Sequence, residues 1–170
     1  MMNNYIVLLD GSKGSWKSSI SSALKKKISN SIFLSLDEIR RGMHAKATPE
    51  NNKIAYESLL NQAKQFVKEW KNVIIDCGMI EEKLKVLEKV AENIKVPLYK
   101  YFLEAPYDIL LQRVKDRDIK EGKNTDEARF KHVHEVIRSK KFIDYTIFDT
   151  HELSSEKIAD QILKQIEKTK

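Results

Sequence analysis

Short, wholly apolar runs alternate along this chain with longer stretches in which apolar residues recur every three or four positions. The first run, Tyr5-Ile6-Val7-Leu8-Leu9, is continuously apolar, as a central parallel strand covered on both faces requires. Ile20, Ala23, Leu24 and Ile28 then mark a helix over Lys17 to Ile28. Ile32-Phe33-Leu34 reads as a second strand, and Gly42 to Ala47 as a loop. Thr48-Pro49-Glu50 opens a helix, with Thr as N-cap and Pro at the first helical position. Its stripe runs through Tyr56, Leu59, Leu60, Ala63, Phe66, Val67 and Trp70, which places Trp70 in the core. Val73-Ile74-Ile75-Asp76 is a third strand, followed by a helical stripe at Leu84, Leu87, Val90, Ala91 and Ile94. Pro97 to Leu103 is a fourth strand. Pro106 begins a helix through Ile109, Leu110, Leu111 and Val114, whose end carries Arg113 and Arg117. Ile119 to Thr125 is polar and reads as a loop. Asn124 is the expected cap of the next helix, with Glu127 completing a capping box, and that helix runs to about Lys140. Tyr145 to Asp149 is a fifth strand, and Ser154 caps a last helix with Ile158, Ile162, Leu163 and Ile166 on one face.

Strands alternating with helices predict an α/β fold, a parallel sheet with helices on both faces. A length of 170 residues fits one domain, 1–170. No apolar run reaches membrane length, so no membrane partner is expected. Residues Met1 to Tyr5 show no basic region ahead of an apolar core, so no signal peptide is expected. The one cysteine, Cys77, has no internal partner, which fits a reducing cytoplasm; it reads as a small buried residue rather than a nucleophile. The formal net charge of +6 favours anionic partners, but Lys is interleaved with Glu and Asp, the pattern of solvated faces rather than of a one-sided nucleic-acid patch. Nothing in the pattern fixes an oligomeric state. His44, His132, His134 and His151 lack metal-ligand spacing and read as surface residues.

Chemistry enters at Gly11-Ser12-Lys13-Gly14-Ser15-Trp16-Lys17-Ser18, between the first strand and the first helix. A glycine-bearing loop at a helix N-terminus points backbone N–H groups and the positive end of the helix dipole at an anion. Lys17 reaches outer phosphates there, and the Ser18 hydroxyl is a Mg²⁺ ligand. The segment resembles the P-loop, or Walker A, motif of nucleotide-binding proteins. It departs at Trp16, where that motif has Gly so that the backbone can turn sharply against the phosphates. The loop either tolerates Trp16 or is weakened by it. The resemblance makes Gly11 to Ser19 the cofactor-binding segment for ATP.

Asp37 follows the second strand, at the carboxyl edge where ligands of open parallel sheets collect. A carboxylate there takes the proton of an attacking hydroxyl; alternatively it caps a helix beginning at Glu38, and the two roles are compatible. The string Ser35-Leu36-Asp37-Glu38-Ile39-Arg40 resembles the polynucleotide kinase family and its zeta-toxin-like and chloramphenicol phosphotransferase-like relatives. That likeness makes Asp37 the base and Arg40 an acceptor contact; Arg41, next in the chain, is a further candidate for binding the substrate. Asp76, ending an apolar strand, resembles a Walker B carboxylate that holds Mg²⁺ with Ser18. Arg113 and Arg117, with Arg129 beyond Gly122, resemble the arginine lid of these kinases, about residues 113–130; the alternative is a salt-bridged solvated helix, given the acidic residues among them.

The resemblance implies a three-layer P-loop NTPase fold with strand order 2-3-1-4-5. It implies an ATP- and Mg²⁺-dependent phosphotransferase, with Lys17, Asp37 and Arg117 catalytic and Arg113 and Arg117 on the nucleotide phosphates. The acceptor is a hydroxyl, either a polynucleotide 5′ end or a nucleoside or other small metabolite. Two alternatives remain. One is a nucleoside monophosphate kinase, which needs no carboxylate after strand two. The other is a kinase-fold protein that binds nucleotide with little turnover because of Trp16.

Overall fold

The computed structural model describes residues 4–44 and 48–169. Met1 to Asn3 and Ala45 to Ala47, the latter half of the expected Gly42–Ala47 loop, lie outside the described residues. Five parallel strands, β1 (Ile6–Asp10), β2 (Ser31–Ser35), β3 (Asn72–Asp76), β4 (Leu98–Glu104) and β5 (Tyr145–Asp149), form one sheet in the order β2-β3-β1-β4-β5. The helices among the described residues are α1 (Lys17–Lys27), α2 (Leu36–Gly42), α3 (Pro49–Lys68), α4 (Glu81–Asn93), α5 (Tyr107–Lys120), α6 (Glu127–Arg138) and α7 (Ser155–Lys168). The order is the one the resemblance implied.

β1 has apolar residues at both pleat positions because helices cover both of its sides. Val7 and Leu9 join Ile20 and Leu24 of α1 and Ile158 and Ile162 of α7; Ile6 and Leu8 join Leu59 of α3 and Leu87 of α4. A smaller cluster of Ala105, Leu110, Val114 and Phe130 lies where α5 meets α6 at the carboxyl edge of the sheet. No helix of the described residues is long and apolar enough to cross a membrane.

Several local expectations are corrected. Trp70 is outside the α3 stripe: the helix ends at Lys68, the chain turns left-handed at Trp70 (φ 61°) to enter β3, and the residue is 70% exposed. Gly42 belongs to α2, and Ile119 and Lys120 belong to α5 rather than to a loop. Ser35, not Asp37, caps α2, accepting from the Glu38 amide at 3.4 Å, because the helix starts directly at the end of β2. Asp126, not Asn124, caps α6. The Thr125 hydroxyl donates to Asp118 at 2.8 Å, so the chain is still tied to α5 one residue before the cap.

Candidate active site at the carboxyl edge of the sheet

The loop after β1 is shaped by its two glycines. Gly11 (φ 145°) and Gly14 (φ 82°) have left-handed backbones, and a Cβ would strike the carbonyl of Leu103 at the first and that of Leu110, at 2.6 Å, at the second. The first backbone bond of α1 runs from Ile20 N to Trp16 O at 3.0 Å. The amides of Lys17, Ser18 and Ser19 therefore have no intrahelical acceptor and are available to an anion. Lys17 Nζ donates to the carbonyls of Gly11 (2.9 Å) and Ser12 (2.8 Å), so the ammonium lies over the loop itself. Ser15 closes the turn, its hydroxyl donating to Ser12 O at 2.8 Å.

Trp16 is the N-cap of α1, with φ 60° and ψ 22°. A left-handed backbone costs a residue with a Cβ about 1–2 kcal/mol. Its indole lies against α5, where the Arg113 guanidinium stacks over it at 3.9 Å from the ring centroid. The residue remains 40% exposed. Arg113 is held on all sides: Nη1 donates to Gly14 O (3.1 Å) and Thr150 Oγ1 (2.9 Å), and Nη2 to Thr150 O (2.9 Å). Its donors thus join the loop, α5 and the turn after β5.

Ser18 and Asp76 meet beside the loop, the hydroxyl donating to Oδ2 at 2.7 Å. Burial raises the Asp76 carboxyl above its usual range, with Lys17 and the Ser18 hydroxyl opposing. A buried carboxylate next to a hydroxyl is a hard-oxygen pair that suits Mg²⁺, which keeps several waters and takes its remaining ligands from phosphate. Among the described residues no group of three or more His, Cys, Asp or Glu could hold a metal. The pair fits such a phosphate-sharing ion and not an all-protein cage.

At the β2 side, Asp37 stands in the first turn of α2 and pairs with Arg40 at 2.6 Å. Arg40 also donates to Asn52 Oδ1 (3.2 Å), and Arg41 Nε to the Asp37 carbonyl (3.3 Å). Lys13 connects the two sides. Its ammonium is held below the usual lysine range, first by partial desolvation and further by Arg117, Arg129 and Arg40, with Asp37 opposing. Arg117 makes one long contact, to Asp118 at 3.5 Å, and is half exposed. Lys115 and Glu127 tie α5 to α6 at 2.7 Å. A basic mouth thus surrounds the loop, with Asp37 at its edge.

Three features escaped the sequence reading. Asp10, which ends β1, is fully buried and pairs with fully buried Lys140 at 2.5 Å. Its other contacts are the amides of Gly11 (2.7 Å) and Met79 (2.9 Å) and the Tyr145 hydroxyl (2.7 Å). Lys140 also donates to the Met79 carbonyl, and its ammonium stands 5.4 to 5.9 Å from the rings of Phe102, Phe142 and Tyr145. Burial lowers the Lys140 ammonium and raises the Tyr145 phenol. A carboxylate directly before the first loop glycine was the one visible signal. Second, His134 is not a surface residue: it is half-buried beside Tyr107 and Phe130, with Nδ1 2.7 Å from the Ser12 hydroxyl of the loop. Third, Thr150 anchors Arg113. Cys77 is buried as expected, its thiol pushed up to about 12 by burial, and is inert.

Burial, and then Arg138, lower the His134 imidazole below its ordinary 6.5, with Glu135 opposing. The unfolded chain therefore binds the proton more readily, and stability is lost as pH falls from about 6.5 through the lowered value. His134→Gln, which keeps a donor and an acceptor, is expected to flatten the fall of melting temperature between pH 7 and 5 relative to the parent. An equal fall in both proteins would remove His134 from the pH response.

A family model described as an AAA domain matches residues 6–139. No curated protein matches the sequence. Among solved structures, the tunicamycin resistance protein of Deinococcus radiodurans is similar at 16% identity and TM-score 0.72, covering 96% of this chain and 95% of that one. The APS kinase CysC of Mycobacterium tuberculosis, in complex with AMPPNP and APS, is similar at 16% identity and TM-score 0.78, covering 97% and 98%. A chain of the Pnkp1/Rnl/Hen1 RNA repair complex is similar at 16% identity and TM-score 0.70, over 80% of this chain and 44% of that one. At these identities the likeness is one of fold, and the fold is that of P-loop kinases.

Proposed function

The chain belongs to the AAA domain family with a P-loop kinase fold, and from that premise we propose that it moves the γ-phosphate of Mg·ATP to a hydroxyl acceptor. The observation that carries the reading is the pairing of Ser18 with Asp76 at 2.7 Å beside a loop over which Lys17 lies, with Asp37 at the same sheet edge. A bound Mg²⁺ would neutralise phosphate charge; Ser18 and Asp76 would hold it. Lys17 turns from the Gly11 and Ser12 carbonyls to the outer phosphates. The amides at the start of α1 take the inner ones. Asp37 accepts the hydroxyl proton and aims the oxygen, and Arg40 holds that carboxylate in place. Arg117, with few partners of its own, closes with the α5–α6 lid on the charge that develops in transfer. Arg113 is already engaged and serves as a strut.

A hydroxyl acceptor is preferred over a nucleoside monophosphate because a carboxylate, paired to Arg40, stands where a phosphate acceptor would need free arginines. Of hydroxyl acceptors, a polynucleotide 5′ end and a nucleoside or small metabolite both suit this arrangement.

The experiment is transfer of labelled γ-phosphate to a 5′-hydroxyl oligonucleotide, nucleosides, nucleoside monophosphates and water. Asp37→Asn is run beside the parent. Transfer to one hydroxyl acceptor, lowered between about 10²- and 10⁴-fold in the variant, is the expected result. Transfer to monophosphates that ignores Asp37 would overturn the hydroxyl reading. Tight ATP binding with no transfer to any acceptor would favour nucleotide binding without turnover.

A further inference from the structure

We propose that Trp16 is the surface on which the base of the donor nucleotide stacks, so that this chain recognises a nucleoside triphosphate through an aromatic residue built into its phosphate loop. The inference rests on the phosphotransfer reading and extends it to the donor's base. Direction comes from the sheet order. Asp37 follows β2, on one side of the β1 loop; β4 and β5 lie on the other. In-line transfer sets acceptor and leaving nucleotide on opposite sides of the γ-phosphorus. The nucleoside therefore leaves the loop over β4 and β5.

The Trp16 indole stands on that side, against Arg113 of α5, which is itself fixed to Thr150 after β5. Arg113 covers one face of the ring, and the residue is still 40% exposed. An indole backed by a cation and still partly exposed is a π-surface next to the point where phosphates would end. Flat aromatic bases stack on such surfaces without regard to sequence. The backbone supports the same conclusion. Trp16 holds a left-handed conformation that glycine adopts freely, and strain of this kind persists at ligand-binding positions when the side chain is used.

The test compares ATP with inorganic tripolyphosphate, both with Mg²⁺. The chain has two tryptophans, so Trp70→Phe leaves Trp16 as the only indole. ATP is expected to quench its emission, and tripolyphosphate, bound by calorimetry, to leave it nearly unchanged. Trp16→Leu is expected to weaken ATP roughly tenfold, the size of one base stack, and tripolyphosphate less than twofold. Trp16→Phe keeps most of the ATP affinity. Trp16→Gly, which relaxes the backbone, still lowers the ratio of ATP to tripolyphosphate affinity. Equal losses for both ligands, no loss of ATP affinity, or tighter ATP binding in Trp16→Leu would overturn the stack alone. If the parent protein binds neither ligand, the phosphotransfer reading falls and takes the stack with it.

Discussion

Lys17→Met is expected to abolish transfer, lowering it between about 10²- and 10³-fold or more, and to remove most of the stabilisation that Mg·ATP gives the parent. Lys17 donates to the Gly11 and Ser12 carbonyls in part-buried bonds. Losing those two bonds costs the fold about 1 kcal/mol each. The measurement needs no knowledge of the acceptor. At a hundred times the dissociation constant, ATP adds about 2.7 kcal/mol to the stability of the parent. For a chain of this size that is a rise in melting temperature of roughly 5–10 °C. Measured from its own melting temperature without nucleotide, the variant should lose the rise. A full rise in Lys17→Met would mean that nucleotide is held elsewhere, and the loop reading would fail.

The fold was legible because burial on two faces leaves a plain trace. Tyr5 to Leu9 can only be a strand with helices above and below it, and all five residues are buried. The glycine-shaped loop after β1 was legible because its glycines, Lys17 and Ser18 are contiguous, and the Ser18–Asp76 pair because each lies at the end of a recognisable element. What was missed depends on contacts that sequence spacing does not record. Trp70 keeps helical spacing with Val67 yet lies past the end of α3, where the chain turns left-handed to enter β3. Asn124 and Glu127 have capping-box spacing, but the Thr125–Asp118 bond delays the helix until Asp126 supplies the cap. His134 read as a surface residue because Ser12 and Tyr107, its neighbours, are far away in the chain. The deepest omission is the pairing of Asp10 with Lys140, at a separation of 130 residues. Lys140 lies among lysines in Lys140-Lys141 and looks like any exposed charge.

That pair carries the second large effect: Lys140→Ala is expected to destabilise the protein by about 3–5 kcal/mol, because the fully buried Asp10 carboxyl is left without its cation. Among the described residues Lys140 is the one cation in contact with Asp10, and the other donors to it are the Gly11 and Met79 amides and the Tyr145 hydroxyl. Three neutral donors soften the loss without cancelling it. The melting temperature should fall by on the order of 10 °C. The pair itself need not be stabilising, since two charges were taken from water to make it. The double variant Asp10→Asn with Lys140→Met, uncharged and similar in volume, should therefore recover most of the loss. Function separates the two cases. Asp10 holds the amide of Gly11, the first residue of the loop after β1, and Lys140 follows α6, whose Phe130 completes the apolar cluster with α5. The double variant keeps the packing but weakens the grip on Gly11 N, so its ATP affinity should fall while its stability returns. A loss under about 1 kcal/mol in Lys140→Ala would show that water reaches Asp10 and that the pair does not anchor the loop. Recovery of stability and ATP affinity together would show that packing, rather than the charge pair, sets the loop's position.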